Sequence, residues 1–146
     1  MVRPLLPIVT VAVAAPRRLK KGPADFAQAP MLHTRPRSED WRRWLDYAGM
    51  GTVPVRGGSS FESASQTLEA AVADLGLAIA IECLLGPDLS SGRLALAHPA
   101  RRPTRRHFVL QCEVRAAADP SLMAFADWLC AELTPRSEEH TSELQS

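Results

Sequence analysis

The chain has 146 residues, 46% hydrophobic and 23% charged, with a formal net charge of +1. That is enough for one globular domain of ordinary size, it excludes a disordered segment, and the charge points to no polyanionic partner. Cys83, Cys112 and Cys130 are odd in number and lack a C-x-x-C pair, and no apolar run reaches about 18 residues. The chain therefore reads as a cytoplasmic protein with buried thiols, with neither a disulfide frame nor a membrane span.

Taken in order, residues 1–16 (MVRPLLPIVTVAVAAP) imitate a secretion signal, but Pro4 and Pro7 interrupt the run and Val9, Thr10, Val11 and Val13 suit a strand. Residues 17–30 form a basic, solvated connector with a helical turn at 23–27. A short strand follows at 31–34. Ser38 is positioned to cap a helix with Glu39 and Asp40 in its first turn, where the dipole favours acids. Trp41, Trp44, Leu45 and Ala48 would face the core, a better account of two Trp at helical spacing than a ligand platform, and Gly49 would close the helix. Residues 52–56 read as a strand.

Residues 57–96 organise the chain. Ser59 followed by Glu62 spells a capping box, and Phe61, Ala64, Leu68, Val72 and Leu75 recur at helical spacing behind it. Residues 75–81 read as a buried strand, 81–85 as a short helix, Ser91-Gly92 as a turn and 93–97 as a returning strand, which is an α/β pattern. Beyond it lie an arginine-rich loop at 99–106 and a strand at 107–114. Asp119-Pro120 then starts a last helix, with Leu122, Phe125, Ala126, Leu129 and Leu133 on its buried face. The segment 136–146, RSEEHTSELQS, has no apolar period. It resembles the translation of a widely used sequencing adapter and reads as a non-native tail behind a natural 1–135.

Catalytic patterns are missing. Gly57-Gly58-Ser59-Ser60-Phe61 lacks the second flanking glycine of a nucleophile elbow, and no Gly-Lys-Ser/Thr follows it. No histidine has Cys, Asp or Glu at metal-ligand spacing, and the adjacent pairs Glu39-Asp40 and Glu138-Glu139 do not resemble paired hydrolytic carboxylates. The reading is a non-enzyme with no cofactor or metal.

The ordered series of motifs resembles the effector-binding domain of LysR-type transcriptional regulators. Its parts are the apolar helix Leu68-Glu69-Ala70-Ala71-Val72, then Leu75-Gly76-Leu77-Ala78-Ile79-Ala80, then Cys83-Leu84-Leu85, then Ser91-Gly92-Arg93-Leu94-Ala95-Leu96. The flanks Asp40-Trp41-Arg42-Arg43-Trp44-Leu45 and Phe125-Ala126-Asp127-Trp128-Leu129 are similar to the branch of glycine-cleavage activators and β-lactamase regulators. Asp74 departs from the family's usual glycine, though Asp tolerates a left-handed turn.

The resemblance implies a fragment of a two-lobed, periplasmic-binding-protein-like (type 2) fold with one lobe nearly complete. About 8–97 would be the second lobe, and about 106–133 the return to the first. It also implies a ligand-sensing role, a homo-oligomer in the intact protein and contact with promoter DNA only through a winged helix-turn-helix preceding Met1. A fragment of a periplasmic solute-binding protein is the alternative. In such folds ligands meet helix N-termini and strand ends, which favours Thr34, Ser59, Ser60 and Phe61 as effector-binding residues. The expected effector is a small carboxylate or amino-acid-like metabolite.

Overall fold

The β-branched run near the N-terminus forms the second half of a 13-residue strand, β1 (Val2–Ala14). The computed structural model describes residues 1–134, so the tail at 136–146 lies outside the described residues. Pro4 and Pro7 sit in the outer half of β1, whereas residues 10–14 are fully buried, as a continuous apolar run requires. β4 (Ala78–Ile81) pairs antiparallel with β1 in the register Thr10↔Ile81 to Val13↔Ala78. β5 (Ala95–Leu96) flanks β1 on its other side, and β6 (Arg102–Gln111) also pairs with it.

Alternate residues of a strand face opposite sides, so β1 builds two cores at once. Val11 and Val13 pack with Ala78, Ala80, Leu32, Leu85, Leu94 and the α2 (Ala64–Val72) residues Ala70 and Ala71. Ala12 and Ala14 pack with Leu77, Ile79, Phe26 and the α1 (Asp40–Tyr47) residues Trp41, Trp44 and Leu45. Three of the chain's eight aromatic residues, Phe26, Trp41 and Trp44, lie on the second face. There Trp41 and Trp44 meet edge to face, 6.2 Å apart, with Phe26 5.4 Å from Trp44. Each buried indole keeps a partner: Trp41 donates to the Leu32 carbonyl (2.8 Å) and Trp44 to that of Ala100 (3.4 Å). The Trp pair is core, as its spacing predicts.

The chain divides into two compact units, Ile8–Thr104 and Met1–Pro7 with Arg105–Ser146. In the second, Cys112 and Met1 exchange backbone hydrogen bonds, and Arg3 pairs with Asp127. Its helix α4 (Pro120–Leu133) starts where Asp119-Pro120 predicts, with the Asp119 carboxylate accepting from the Ser121 N–H at 2.9 Å.

Several local expectations are corrected. Ser38 has helical backbone at the end of a 3-10 turn (Arg35–Arg37) and caps nothing; the chain runs straight from that turn into α1. Residues 52–56 are irregular, held by the Arg56 guanidinium on the carbonyls of Phe26 and Ala29. The strand expected at 107–114 begins at Arg102, so most of the supposed arginine loop is β6. The short helix expected at 81–85 is present as a 3-10 turn (Glu82–Leu84), and a further short helix, α3 (Gly86–Ser90), follows it before the Ser91-Gly92 turn. On α4 only Ala126 is buried, while Phe125 and Trp128 are 49% and 56% exposed. The cysteines are not buried thiols: Cys83 is exposed and the other two half-buried. Asp74 does take the left-handed conformation (φ 62°). Its carboxylate accepts from Arg17 (3.1 Å) and Arg18 (2.7 Å), and Arg18 also reaches its carbonyl, so the basic connector clamps the end of α2.

Candidate functional site

Two short strands carry the residues singled out from sequence. β2 (His33–Thr34) and β3 (Ser60–Phe61) run parallel in the register His33↔Ser60 and Thr34↔Phe61, and the His33 N–H donates to the Ser59 carbonyl at 2.9 Å. Thr34, Ser59, Ser60 and Phe61 are thereby brought side by side.

Two glycines make this pairing possible. A Cβ on Gly58 would stand 2.4 Å from the Met31 carbonyl oxygen, and one on Gly76 2.5 Å from that of Pro30. Only glycine admits backbone that close. The Leu77 N–H donates to Pro30 and the Leu32 N–H to Leu77, both at 2.9 Å, while the Trp41 indole holds the Leu32 carbonyl. The stretch leading into β2 is thus fixed by neighbours on several sides.

The four residues differ in what they have left to offer. The Thr34 hydroxyl is bonded to that of Thr67 (2.7 Å), which is 1% exposed and also donates to the carbonyls of Ser63 (3.1 Å) or His33 (3.4 Å). Thr34 is therefore committed to holding β2 on α2. Phe61 is half-buried against the α2-side core. Ser59 and Ser60 are exposed.

The helix start expected at Ser59 falls one turn later, and α2 starts at Ala64. Ser63 is the N-cap, its hydroxyl accepting from the Gln66 N–H (3.3 Å), and the Gln66 amide oxygen accepts from the Glu62 N–H (3.2 Å). The signal was present: Ser63-x-x-Gln66 spells a box as well as Ser59-x-x-Glu62 does. Strand pairing decides between them, because residues 60 and 61 are committed to β3. The helical face shifts with the start, to Thr67, Ala70 and Ala71, leaving Ala64 and Leu75 exposed. The Glu62 carboxylate pairs instead with Arg35. Sequence reasoning missed Arg35, Thr67 and the Ser63–Gln66 pair.

Ser60, Phe61, Glu62, Ser65, Gln66 and Glu69 line a shallow depression of about 510 Å³. Arg93 holds Glu69 through both carboxylate oxygens (2.9 Å each) and Asp88 at 2.8 Å. The Glu69 hydrogen bonds push the Arg93 guanidinium above its ordinary value. Hydroxyls, an amide, a half-buried ring and paired charges suit a small polar molecule. Among the described residues no group of three or more His, Cys, Asp or Glu is placed to hold a metal ion.

Residues 2–134 match the LysR substrate binding domain model, and the chain belongs to that family. It is a LysR-type effector-binding domain, of a family that binds ligands rather than catalyses reactions, and not the solute-binding protein considered as the alternative. The HTH-type transcriptional regulator TrpI of Pseudomonas aeruginosa is 42% identical over 90 residues, 61% of this chain and 30% of that protein. The glycine cleavage system transcriptional activator of Escherichia coli K12 is 25% identical over 135 residues, 92% of this chain and 44% of that protein. The chain thus spans less than half the length of these curated relatives. The effector domain of AmpR of Pseudomonas aeruginosa shares the fold, with a TM-score of 0.76 at 21% identity over 90% of this chain and 64% of that one. Among the described residues no helix is long and apolar enough to cross a membrane.

Proposed function

We propose that this chain is the ligand-sensing part of a cytoplasmic, homo-oligomeric transcriptional regulator that contacts promoter DNA through a separate N-terminal helix-turn-helix segment. The relatives named as HTH-type regulators support this, as does the family match. About 8–97 forms one lobe and about 106–133 the return to another, a reading supported by the division of the chain at Ile8 and Arg105. Effector binding shifts an equilibrium between conformations of the regulator.

The effector, a small carboxylate or amino-acid-like metabolite, binds at Thr34, Ser59, Ser60 and Phe61. The carrying observation is the β2–β3 pair, which sets these residues beside the depression and the start of α2. Ser59 and Ser60 supply hydrogen bonds, Phe61 an apolar wall, and Thr34 fixes the strand that carries the site.

Calorimetric titration of the chain with the L-amino acids and with small mono- and dicarboxylates tests this. Ser60→Ala is expected to weaken the bound compound about tenfold, the loss of one charge-assisted hydrogen bond, without changing the melting temperature. If Ser59→Ala and Ser60→Ala both bind as the parent does and only melt earlier, the serines are structural and the site lies elsewhere.

A further inference from the structure

Arg35 and Glu62 are the residues immediately after β2 and β3. Because Thr34 and Phe61 are register partners, the two side chains leave the strand pair next to each other, and they meet as an ion pair. We propose that this pair recognises a zwitterion: Arg35 takes the effector's carboxylate and Glu62 its ammonium group. The inference rests on the site reading above and narrows its ligand class to α-amino acids and their close analogues.

Three observations carry it. First, the pair is easily opened. The side chains of Arg35 and Glu62 are 65% and 68% exposed, and an ion pair in that setting contributes little net stability. The guanidinium already holds a carboxylate, so a ligand carboxylate replaces like with like, and the released Glu62 is left to accept an ammonium. One ion pair becomes two.

Second, only side chains need to move. The Thr34–Thr67 hydroxyl bond fixes the backbone before Arg35, and the Glu62 N–H is tied to the Gln66 amide. A site whose backbone is set in advance loses less freedom on binding.

Third, the charge of the depression disfavours a simple carboxylate. Its ionisable lining residues are Glu62 and Glu69, and Arg93 already engages Glu69 through both oxygens. A mono- or dicarboxylate that displaced Glu62 would leave two anions facing each other. A zwitterion brings its own compensating charge.

The test is calorimetric titration of the 146-residue chain with the twenty L-amino acids and, for the tightest binder, its carboxamide and its des-amino acid. Arg35→Gln is expected to weaken the amino acid at least about tenfold and leave the carboxamide unchanged. Glu62→Gln is expected to weaken the amino acid to the same degree and leave the des-amino acid unchanged. If Ser60→Ala weakens binding while Arg35→Gln and Glu62→Gln stay within about twofold of the parent, the pair has no role and the serine site stands. If the charge variants show the selective losses and both serine variants bind normally, the pair is upheld and the serine site falls. Binding of simple carboxylates with none of any amino acid, or no binding at millimolar concentration, overturns the proposal.

Discussion

Two threonines, each 1% exposed, make a matched test of what a buried hydroxyl contributes. Thr67 has three oxygens within reach: Thr34 Oγ1 at 2.7 Å, the Ser63 carbonyl at 3.1 Å and the His33 carbonyl at 3.4 Å. Thr10, in the middle of β1, has a hydroxyl with no hydrogen-bond partner among the described residues. Thr→Val removes the hydroxyl and keeps the branched shape. At Thr67 it forfeits one or two net hydrogen bonds of about 1 kcal/mol each and strands the Thr34 hydroxyl, so a loss of about 1–2 kcal/mol is expected. At Thr10 it removes a desolvation penalty of about 1–3 kcal/mol, and valine suits a strand at least as well, so a gain of about 1 kcal/mol or more is expected. The two variants should differ by at least about 2 kcal/mol with opposite signs. Urea unfolding followed by the fluorescence of buried Trp41 and Trp44 measures this, with an unchanged slope showing that the same surface is exposed. A Thr10→Val variant as destabilised as Thr67→Val would refute the reasoning.

The two close glycine approaches predict that Gly58→Ala and Gly76→Ala each destabilise by about 1–3 kcal/mol, because the carbonyls they meet are backbone and cannot swing away. Gly86→Ala, with nothing within 4 Å of its Cβ, is the control and should be neutral or mildly stabilising in the same melts. Burial alone would raise the Asp74 carboxyl, but hydrogen bonds from Arg17 and Arg18 outweigh it and hold the group below the usual carboxylate range. That contribution is present above the unfolded pKa of about 4 and is lost as pH falls through the lower folded value. Asp74→Asn should therefore be less stable than the parent at neutral pH, with the gap closing in acid; a gap unchanged at pH 3 would argue against it. Amide exchange should be slowest in β1 at residues 10–14 and fast in α4, where Ala126 alone is buried; α4 as the slowest element would contradict this.

What was legible in the sequence followed from periodicity and from residues with one job. The β-branched run gave β1, the i, i+3, i+4 spacing of Trp41, Trp44 and Leu45 gave α1, and Asp119-Pro120 gave the start of α4. Misreadings fell where two local signals competed and a long-range contact decided. Ser59 and Ser63 both spell a helix start, and the choice depends on residue 60 pairing with His33, far away in sequence. Residues 99–106 look like a loop because arginines mask a strand whose pairing with β1 is non-local. The apolar stripe of α4 marks the side that prefers cover, and most of that side stands uncovered among the described residues, as a partial two-lobed fold implies. At the candidate site, the serines were legible as small polar residues after glycines. Thr67 was not, since one hydroxyl on an alanine-rich helix carries no sign of the partner it will meet.

The proposed site is positioned by groups that have no need to touch a ligand. Gly58 and Gly76 admit close backbone contacts, the Trp41 indole holds the Leu32 carbonyl, and Thr67 ties down Thr34. Each is buried or pressed against backbone, so a change there moves β2 as a whole. Ser59, Ser60, Arg35 and Glu62 stand at the exposed ends of the same two strands. Substitutions should therefore separate into two groups. Changes at Gly58, Gly76, Trp41 or Thr67 lower stability and effector affinity together, because both depend on where β2 lies. Changes at Ser60, Arg35 or Glu62 lower affinity alone. A Trp41→Phe chain that melts early yet binds with parental affinity would break this division, since it would show that the β2–β3 register survives loss of the indole's hold on Leu32.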